Sequence, residues 1–411
     1  MDRTAPKFLS LFVLLILQLL SGCVPPPQSE SVTSNIPQVR VLLLENRSTI
    51  ELSAKTPPLI RTADSAAVHR LDLSPEVPIS VSLEPAGWRI GNVIVGSGEL
   101  QINPAIDGSV YIDGRPYHGR YRLTPTGPST FEVINDVNLE DYLKGVLSSE
   151  LPRTWLDETY KAQAIVSRTY ALYVVKSAPT GASYDLFSDE RSQVYGGISA
   201  ETDRARRAVE ATTGTLIVTG IPRHEHIIKA YFCSCCGGVG QSAADAFGDP
   251  PSAPLAEKSV GNLCSESPHF NWGPIVISKA ELTARIRKFG KLNDRPEQDM
   301  AQLTRLDISA FNSLGRPVRF VVTDARGGKF EFTGEEIRKA VNTDSTDTTK
   351  LWSSFFRIDN EPTAIGFVDG HGSGHGVGMC QWTAQRRAEM GMRFDSIVLA
   401  AYPGTTLMQV Y

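Results

Sequence analysis

The sequence lacks several features that mark common classes of protein. Charged residues are only 21% of its 411 residues, and 41 basic against 45 acidic side chains leave a net charge of −4. There is no basic run and no interleaving of basic and aromatic residues, so nothing points to a nucleic acid partner. Hydrophobic residues make up 41%, which is enough for a sizeable core in two or three domains.

A hydrophobic run long enough to span a bilayer as an ordinary helix is also missing. The apolar stretch at residues 8–20 follows Arg3 and Lys7 and ends in Leu20-Ser21-Gly22-Cys23. This order predicts a lipoprotein signal peptide over 1–23, and its end resembles a bacterial lipobox with Cys23 as the lipidated residue. We therefore expect an extracytoplasmic protein held on a membrane by lipid. Because Val24 rather than Asp follows Cys23, that membrane is the outer one if the cell has two.

The remaining chain predicts an α+β protein. Residues 24–36 are rich in Pro, Ser and Gln and read as a flexible tether. Short alternating segments broken by Gly, Pro, Asn and Asp predict a β-rich N-terminal region over 37–130. A mixed α+β domain follows over 131–411, with an inserted α+β segment at about 275–360.

One stretch, residues 139–176, predicts a short helix, a corner and a long helix. Apolar residues recur at helical spacing on both sides of the corner, and Leu151-Pro152 ends the first helix because a residue before proline avoids the α region. Glu150 therefore lies at a helix-to-helix corner, where a scaffold can present an acid. On these grounds alone a solvated surface carboxylate is the simpler interpretation.

Three separated stretches change that interpretation, because together they resemble the stage II sporulation protein D family, also called the SpoIID/LytB domain. The resemblance covers about residues 131–411. It is carried by LEDYLKGVLSSELPRTWLDETYKAQAIVSRTYAL, by QVYGG at 193–197 with AVEATTGTLI and the Cys/Gly-Gly turn, and by GHGSGHGVGMCQWTAQRRAEMG.

The resemblance implies a peptidoglycan enzyme with Glu150 as its catalytic acid. Family members include lytic transglycosylases that cut MurNAc–GlcNAc bonds of peptide-free glycan strands and leave anhydro-muramoyl ends; others are described as enhancers of a cell-wall amidase. A transglycosylase needs a single Glu as acid and then base, with no required cofactor, and burial near Leu151 and Trp155 should raise its pKa. The alternative is a glycan-binding enhancer without catalysis. A hydrolase would need a second carboxylate, from Asp185 or Asp189.

The resemblance also suggests substrate-binding residues. Lys161 and Arg168 match the family's helix pattern, although Arg168 could instead pair with a carboxylate of the scaffold. Tyr195 could stack on a sugar or lie in the core. His371 and His375, in a glycine-rich loop, are expected to position substrate or support Glu150.

The cysteines leave three alternatives open. Some family members bind zinc through a His and two Cys before QVYGG, but residues 184–192 contain neither here. The five cysteines beyond Cys23 could form disulfides, remain free, or provide a structural zinc site from Cys233, Cys236, Cys264 and Cys380.

Overall fold

The computed structural model describes residues 36–65, 67–70, 73–74, 77–105 and 108–411. Of these, 27% lie in helices and 33% in strands, distributed over several sheets, so the predicted α+β class is confirmed. The signal peptide, Cys23 and nearly all of the predicted tether lie outside the described residues. Within the described part, no helix has the length and apolar character needed to cross a membrane.

The N-terminal part is built of twelve strands. They are β1 (Gln38–Arg47), β2 (Thr49–Ala54), β3 (Leu59–Thr62), β4 (His69–Arg70), β5 (Ile79–Glu84), β6 (Gly87–Ile90), β7 (Val93–Val95), β8 (Leu100–Asn103), β9 (Val110–Ile112), β10 (Arg115–Pro116), β11 (Arg120–Pro125) and β12 (Phe131–Asn138). Buried and exposed residues alternate along β5, β8 and β11, as expected for strands with one face on a core. Asp113 and Gly114, both at positive φ, turn β9 back into β10, the geometry of a tight hairpin.

These strands form two packed sheets. One has the order β13-β1-β12-β11-β8-β3-β4, where β13 is Leu186–Phe187, and the other β10-β9-β2-β5-β6-β7. Trp88 of the second sheet meets Phe131 of the first edge-to-face at 5.0 Å. In the first sheet, β1 pairs with β12, so this sheet contains strands from both sides of residue 130. The domain boundary predicted at residue 130 stays a prediction.

Two helices follow directly: α1 (Leu139–Glu150) and α2 (Asp157–Ser177). The side chain of Asn138 caps α1 by accepting from the backbone N–H of Asp141 at 2.9 Å, and acidic residues in the first turn suit the helix dipole. Leu151 is extended, at φ −120°, and ends α1 before Pro152. The predicted helix, corner and helix are thus observed.

The middle of the chain holds shorter elements around α2. They are a 3₁₀ turn at Ile198–Ala200, α3 (Asp203–Ala211), β14 (Thr215–Ile221), β15 (His224–Ile227), β16 (Phe232–Cys233), α4 (Ala243–Phe247), and 3₁₀ turns at Ala253–Leu255 and Gly261–Cys264.

The inserted segment has its own apolar core. Its elements are β17 (Asn271–Trp272), β18 (Ile275–Ser278), α5 (Lys279–Leu292), a 3₁₀ turn at Pro296–Asp299, β19 (Leu303–Phe311), β20 (Pro317–Asp324), β21 (Lys329–Thr333), α6 (Gly334–Asn342), β22 (Arg357–Asn360) and β23 (Ala364–Val368). Thr333 and Glu336 form a reciprocal capping box at the start of α6, which fixes where this helix begins.

The C-terminal stretch packs against α2 and the strands that follow it. It contains β24 (Gly370–His371), β25 (Met379–Cys380), α7 (Gln381–Glu389), α8 (Phe394–Ala401) and β26 (Thr406–Gln409). β25 pairs in parallel with β16, and β26 pairs antiparallel with β14. This pairing brings the start of α7 to the corner between α1 and α2.

Candidate active site

Glu150 is the last residue of α1 and lies at the junction of three parts of the chain. The backbone N–H of Val194 donates to Oε1 at 2.9 Å. The amide Nε2 of Gln381, at the start of α7, lies 3.5 Å from Oε2. The carboxyl group is therefore held by α1, by the turn at 193–197 and by the glycine-rich C-terminal stretch.

The pKa of Glu150 is raised above that of an ordinary glutamate. Burial is the largest cause, and the negative charge of Glu190 raises it further, whereas the hydrogen bonds from Val194 and Gln381 act in the opposite direction. Desolvation disfavours the charged carboxylate. A raised pKa favours the protonated form that a general acid requires.

Buried amides fix Gln381 against α2. Its Nε2 lies 3.5 Å from Oε1 of Gln163, whose own Nε2 donates to the hydroxyl of Ser167 at 3.0 Å. Nε2 of Gln193 donates to the carbonyl of Ser167 at 3.1 Å. The same network thus supports both groups that contact Glu150, the turn at 193–197 and the side chain of Gln381.

A pair of tryptophans lies at this corner. Trp155 follows Glu150 in the corner and is buried, and its ring meets that of Trp382 edge-to-face at 5.0 Å. Leu151 is also buried, so both apolar residues of the corner are withdrawn from solvent.

The two aspartates considered as a second carboxylate are engaged elsewhere. Asp185 is paired with Arg40, with oxygen–nitrogen distances of 2.5 and 3.1 Å. Asp189 is paired with Arg191 at 2.7 Å. The carboxylate whose charge acts on Glu150 is instead Glu190, an exposed residue that forms no ion pair within the described part of the chain. Nothing in the local sequence indicates that Glu190 rather than the adjacent Asp189 acts on Glu150.

Arg168 is not in the cleft, and its predicted substrate-binding role is corrected here. Its side chain has no exposed surface, and Nε and Nη2 each donate to a carboxylate oxygen of Glu140 at 2.7 Å. Further donations reach the backbone carbonyls of Val209 and Thr215 at 3.3 Å. A buried guanidinium with these partners ties α1 to α3 and β14, as the structural alternative proposed, although through a different carboxylate.

Tyr195 is likewise a core residue, and its predicted role as a sugar platform is corrected. It is 3% exposed, and its ring packs on Tyr142 at 4.8 Å and on Tyr117 at 5.2 Å. Its hydroxyl donates to Oδ1 of Asn135 at 3.3 Å. A face enclosed in this way cannot stack on a pyranose.

Lys161 lies on the partly exposed side of α2. Its ammonium group pairs with Glu158 at 2.7 Å and lies 5.8 Å from the centre of the Phe394 ring. These contacts face α8, and its substrate-binding role stays a prediction.

The two histidines occupy different surroundings. His375 packs beside Phe247 at 5.2 Å, its Nδ1 accepts the N–H of Val377 at 3.0 Å, and burial lowers its pKa to about 4. It is therefore a neutral imidazole at neutral pH, near the ion pair of Glu335 and Arg338. His371 packs on Phe355 at 5.0 Å. Among the described residues neither ring contacts Glu150, so their predicted roles remain predictions.

His371 borders a separate groove of about 900 Å³ in the inserted segment. Apolar and aromatic side chains dominate its walls, including Trp272, Phe311 and Phe355, and Arg357 and Asp369 add charge. This groove does not include Glu150.

The five cysteines beyond Cys23 lie together in one buried cluster. The sulfur atoms of Cys236, Cys264 and Cys380 are all within 4.8 Å of one another, and Cys233 and Cys235 pack against them. These thiols are the group of residues here that has the chemistry to hold a thiophilic metal.

Fold and site together describe an α+β protein that presents a half-buried glutamate at a helix corner. Residues 128–218 match the family model described as Stage II sporulation protein, SpoIID. That range includes Glu150 and the 193–197 turn but neither the histidines nor the cysteines.

Three similar proteins extend the match along the chain. Stage II sporulation protein D of Bacillus subtilis is 28% identical over 299 residues, which cover 68% of this chain and 76% of that protein. The amidase enhancer of the same organism is 25% identical over 64% of this chain but only 40% of its own length. An uncharacterised protein of Brachyspira hyodysenteriae is 28% identical over 72% of this chain and 73% of that protein. These findings support the SpoIID family for this chain.

Proposed function

We propose that this protein is a peptidoglycan lytic transglycosylase that cleaves MurNAc–GlcNAc bonds in glycan strands lacking stem peptides. The observation that carries the proposal is the half-buried Glu150 carboxyl group, which accepts from the N–H of Val194 and whose pKa is raised by burial. Cleavage needs an acid that remains protonated until it reaches the bridging oxygen. The raised pKa of Glu150 favours that protonated form, and the residue lies in the part of the chain that matches the family model.

In the first step, Glu150 donates its proton to the bridging oxygen, and the bond from that oxygen to the muramoyl anomeric carbon breaks. The C6 hydroxyl of the same muramoyl residue then bonds to the anomeric carbon and gives its proton to Glu150. The product is a 1,6-anhydro sugar, no water is consumed, and the acid is regenerated.

The neighbours of Glu150 suit both halves of this cycle. When the proton has left, the carboxylate still accepts from the N–H of Val194 at 2.9 Å and has the amide of Gln381 at 3.5 Å. Hydrogen bonds to the charged form lower the cost of creating it in a desolvated site. The surroundings of Glu150 therefore favour its protonated form and still stabilise the carboxylate that accepts a proton in the second step.

A second candidate function is a glycan-binding protein that stimulates a cell-wall amidase without cutting. One relative is named amidase enhancer, and this function would not require Glu150 to transfer a proton. The two candidates share the substrate and differ in the product.

The experiment is incubation of the purified protein with peptide-free glycan strands, followed by mass spectrometry of the ends. Anhydro-muramoyl ends that increase with time support transglycosylation. Reducing ends instead would indicate hydrolysis, with Glu190 as the first residue to test as its second carboxylate. Unchanged strands, together with faster release of peptides by an added amidase, would favour the enhancer.

We also propose that Cys23 carries lipid and that the protein is held on the outer side of a cytoplasmic membrane, or on the outer membrane of a two-membrane cell. The support is the sequence of residues 3–24 alone. Fractionation of cells, with Cys23→Ser as the matched variant, tests it: the native chain should sediment with membranes, whereas the variant should not acquire lipid.

A further inference from the structure

The buried cysteine cluster joins three separate parts of the chain. Cys233 lies in β16, Cys236 in the turn after it, Cys264 at the end of a 3₁₀ turn, and Cys380 in β25. All of them are almost completely buried, and none is in a disulfide. Their position in the interior makes them unsuitable as exposed nucleophiles and places their sulfur atoms around a common centre.

The spacing of the sulfur atoms fits a metal ion of the size of zinc. In a tetrahedral site with Zn–S bonds of about 2.3 Å, neighbouring sulfurs are about 3.8 Å apart. The sulfurs of Cys236 and Cys264 are 3.8 Å apart, and that of Cys380 is within 4.8 Å of both. A disulfide would need about 2.0 Å.

Cys233 is the candidate for a fourth ligand. Cys233 and Cys236 are separated by two residues, the usual spacing of two metal ligands on one turn, and Cys233 is the strand partner of Cys380. The sulfur of Cys235 also lies near the thiols of Cys264 and Cys380 and faces the backbone carbonyl of Cys264 at 3.7 Å, so the ligand spacing favours Cys233 and replacement of Cys235 tests that choice. Its backbone is fixed by two hydrogen bonds with Ser373.

Three cationic side chains surround the cluster. Arg316, Lys258 and Arg387 are each close enough to interact electrostatically with two or more of the thiols. Arg316 has no exposed surface and donates to the carbonyls of Cys236 and Val239 at 3.0 and 2.8 Å. In the part of the chain that the structure describes, none of the three cations forms an ion pair with a carboxylate. Arg316 is the buried member of the three, and a buried cation is costly without an anionic partner.

We propose that Cys233, Cys236, Cys264 and Cys380 form a structural zinc site. Binding of Zn²⁺ displaces the four thiol protons and leaves a tetrathiolate centre with a net charge of −2. The three surrounding cations offset that charge. This site differs from the zinc site that some family members have before QVYGG, because residues 184–192 of this chain contain neither Cys nor His.

The zinc would also position the candidate active site. Cys380 immediately precedes Gln381, whose amide contacts Glu150, and the N–H of Trp382 donates to the carbonyl of Ser234 at 3.2 Å. A metal that joins β16, β25 and the 3₁₀ turn therefore fixes the start of α7 next to Glu150. Cys380 and its fellow ligands are positioning residues in this account, because none of them touches Glu150.

The test is the metal content of the full chain, purified from cells grown with zinc and measured by inductively coupled plasma mass spectrometry. We expect about one zinc per chain, and alkylation after unfolding with a chelator should label all five cysteines in their peptides. Cys264→Ser should lose the zinc, whereas Cys235→Ser is the matched control and should keep it.

Because Cys264→Ser could fail to fold, the native protein provides a second measurement. Replacement of zinc by Co²⁺ should produce the intense absorption of cobalt bound to four thiolates. A native chain without metal, with Cys236 and Cys264 protected from alkylation by a disulfide, would overturn the proposal. Zinc that is lost in Cys235→Ser but kept in Cys233→Ser would overturn the choice of Cys233 as the fourth ligand. Stoichiometric iron in place of zinc would overturn the choice of metal. All these readouts are independent of glycan cleavage.

Discussion

Removal of the Arg168 guanidinium should destabilise the protein strongly without weakening glycan binding. Arg168→Met keeps a long apolar side chain on α2 but removes both 2.7 Å bonds to Glu140. It also leaves the carbonyls of Val209 and Thr215 without these donors. The carboxylate of Glu140 would then be buried with the hydroxyl of Tyr411, at 2.6 Å, as its remaining donor.

The size of the effect follows from this burial. Breaking a buried ion pair by removing one partner costs about 3–5 kcal/mol, because an uncompensated charge remains. The hydrogen bond from Tyr411 offsets part of that cost, so we expect the free energy of unfolding to fall by about 3 kcal/mol. Replacing both partners, as Glu140→Met with Arg168→Met, removes the isolated charge and should return the protein to within about 1–2 kcal/mol of the native chain.

A matched control lies on the same helix. Lys161 and Glu158 form a 2.7 Å ion pair whose side chains are 28% and 31% exposed. Exposed pairs of this kind contribute at most about 1 kcal/mol. Lys161→Met should therefore change stability little.

The measurement is urea unfolding followed by circular dichroism and by tryptophan fluorescence, since agreement of two probes is needed before a free energy is derived. Glycan binding is measured on the folded variants below the transition. If Arg168→Met lowered the free energy of unfolding no more than Lys161→Met does, the buried ion pair would not have the stabilising role described here. So would selective loss of glycan binding at unchanged stability.

Three further predictions concern the site. Tyr195→Phe removes the hydroxyl bonded to Asn135 and should cost about 1 kcal/mol in urea unfolding while glycan binding is unchanged; weaker binding would contradict its place in the core. Because the folded pKa of Glu150 is raised, the stability this group contributes is present below the pKa of an unfolded glutamate and is lost as pH rises through the raised value. Glu150→Gln should therefore be more stable than the native chain at neutral pH, with a difference that shrinks in acid; equal stability at all pH values would contradict the raised pKa. Gln381→Ala should lower kcat for glycan cleavage more than it raises KM, because its amide contacts the reacting group; a change in KM alone would indicate a substrate contact instead.

Local signals in the sequence were sufficient for the helix corner that carries Glu150. The helical spacing of apolar residues and the proline after Leu151 act over a few residues of α1 and its end, and such signals can be read without tertiary structure. The α+β class followed from these short-range patterns as well.

The partners of Glu150 could not be found in this way. Gln381 is 231 positions away, and it reaches the corner only because β25 pairs with β16. Arg168 was assigned to the cleft from the family's helix pattern and Tyr195 from its aromatic ring, but neither signal shows which side chains the rest of the fold covers. Most residues of α2 are buried. A charged residue on this helix, such as Arg168, can therefore belong to a buried ion pair rather than to an exposed face.

The central claim is that Glu150 transfers the proton that breaks the glycan. Its most direct measurement is the rate at which anhydro-muramoyl ends form from peptide-free strands for the native chain, Glu150→Gln and Glu190→Gln, each shown to be folded. Loss of a general acid costs about 10²–10⁴-fold, so Glu150→Gln should be slower by that factor. Glu190→Gln should remain active, with its rate falling off at lower pH than the native chain because a charge that raises the pKa of Glu150 is gone. Cleavage by Glu150→Gln at the native rate would contradict the claim.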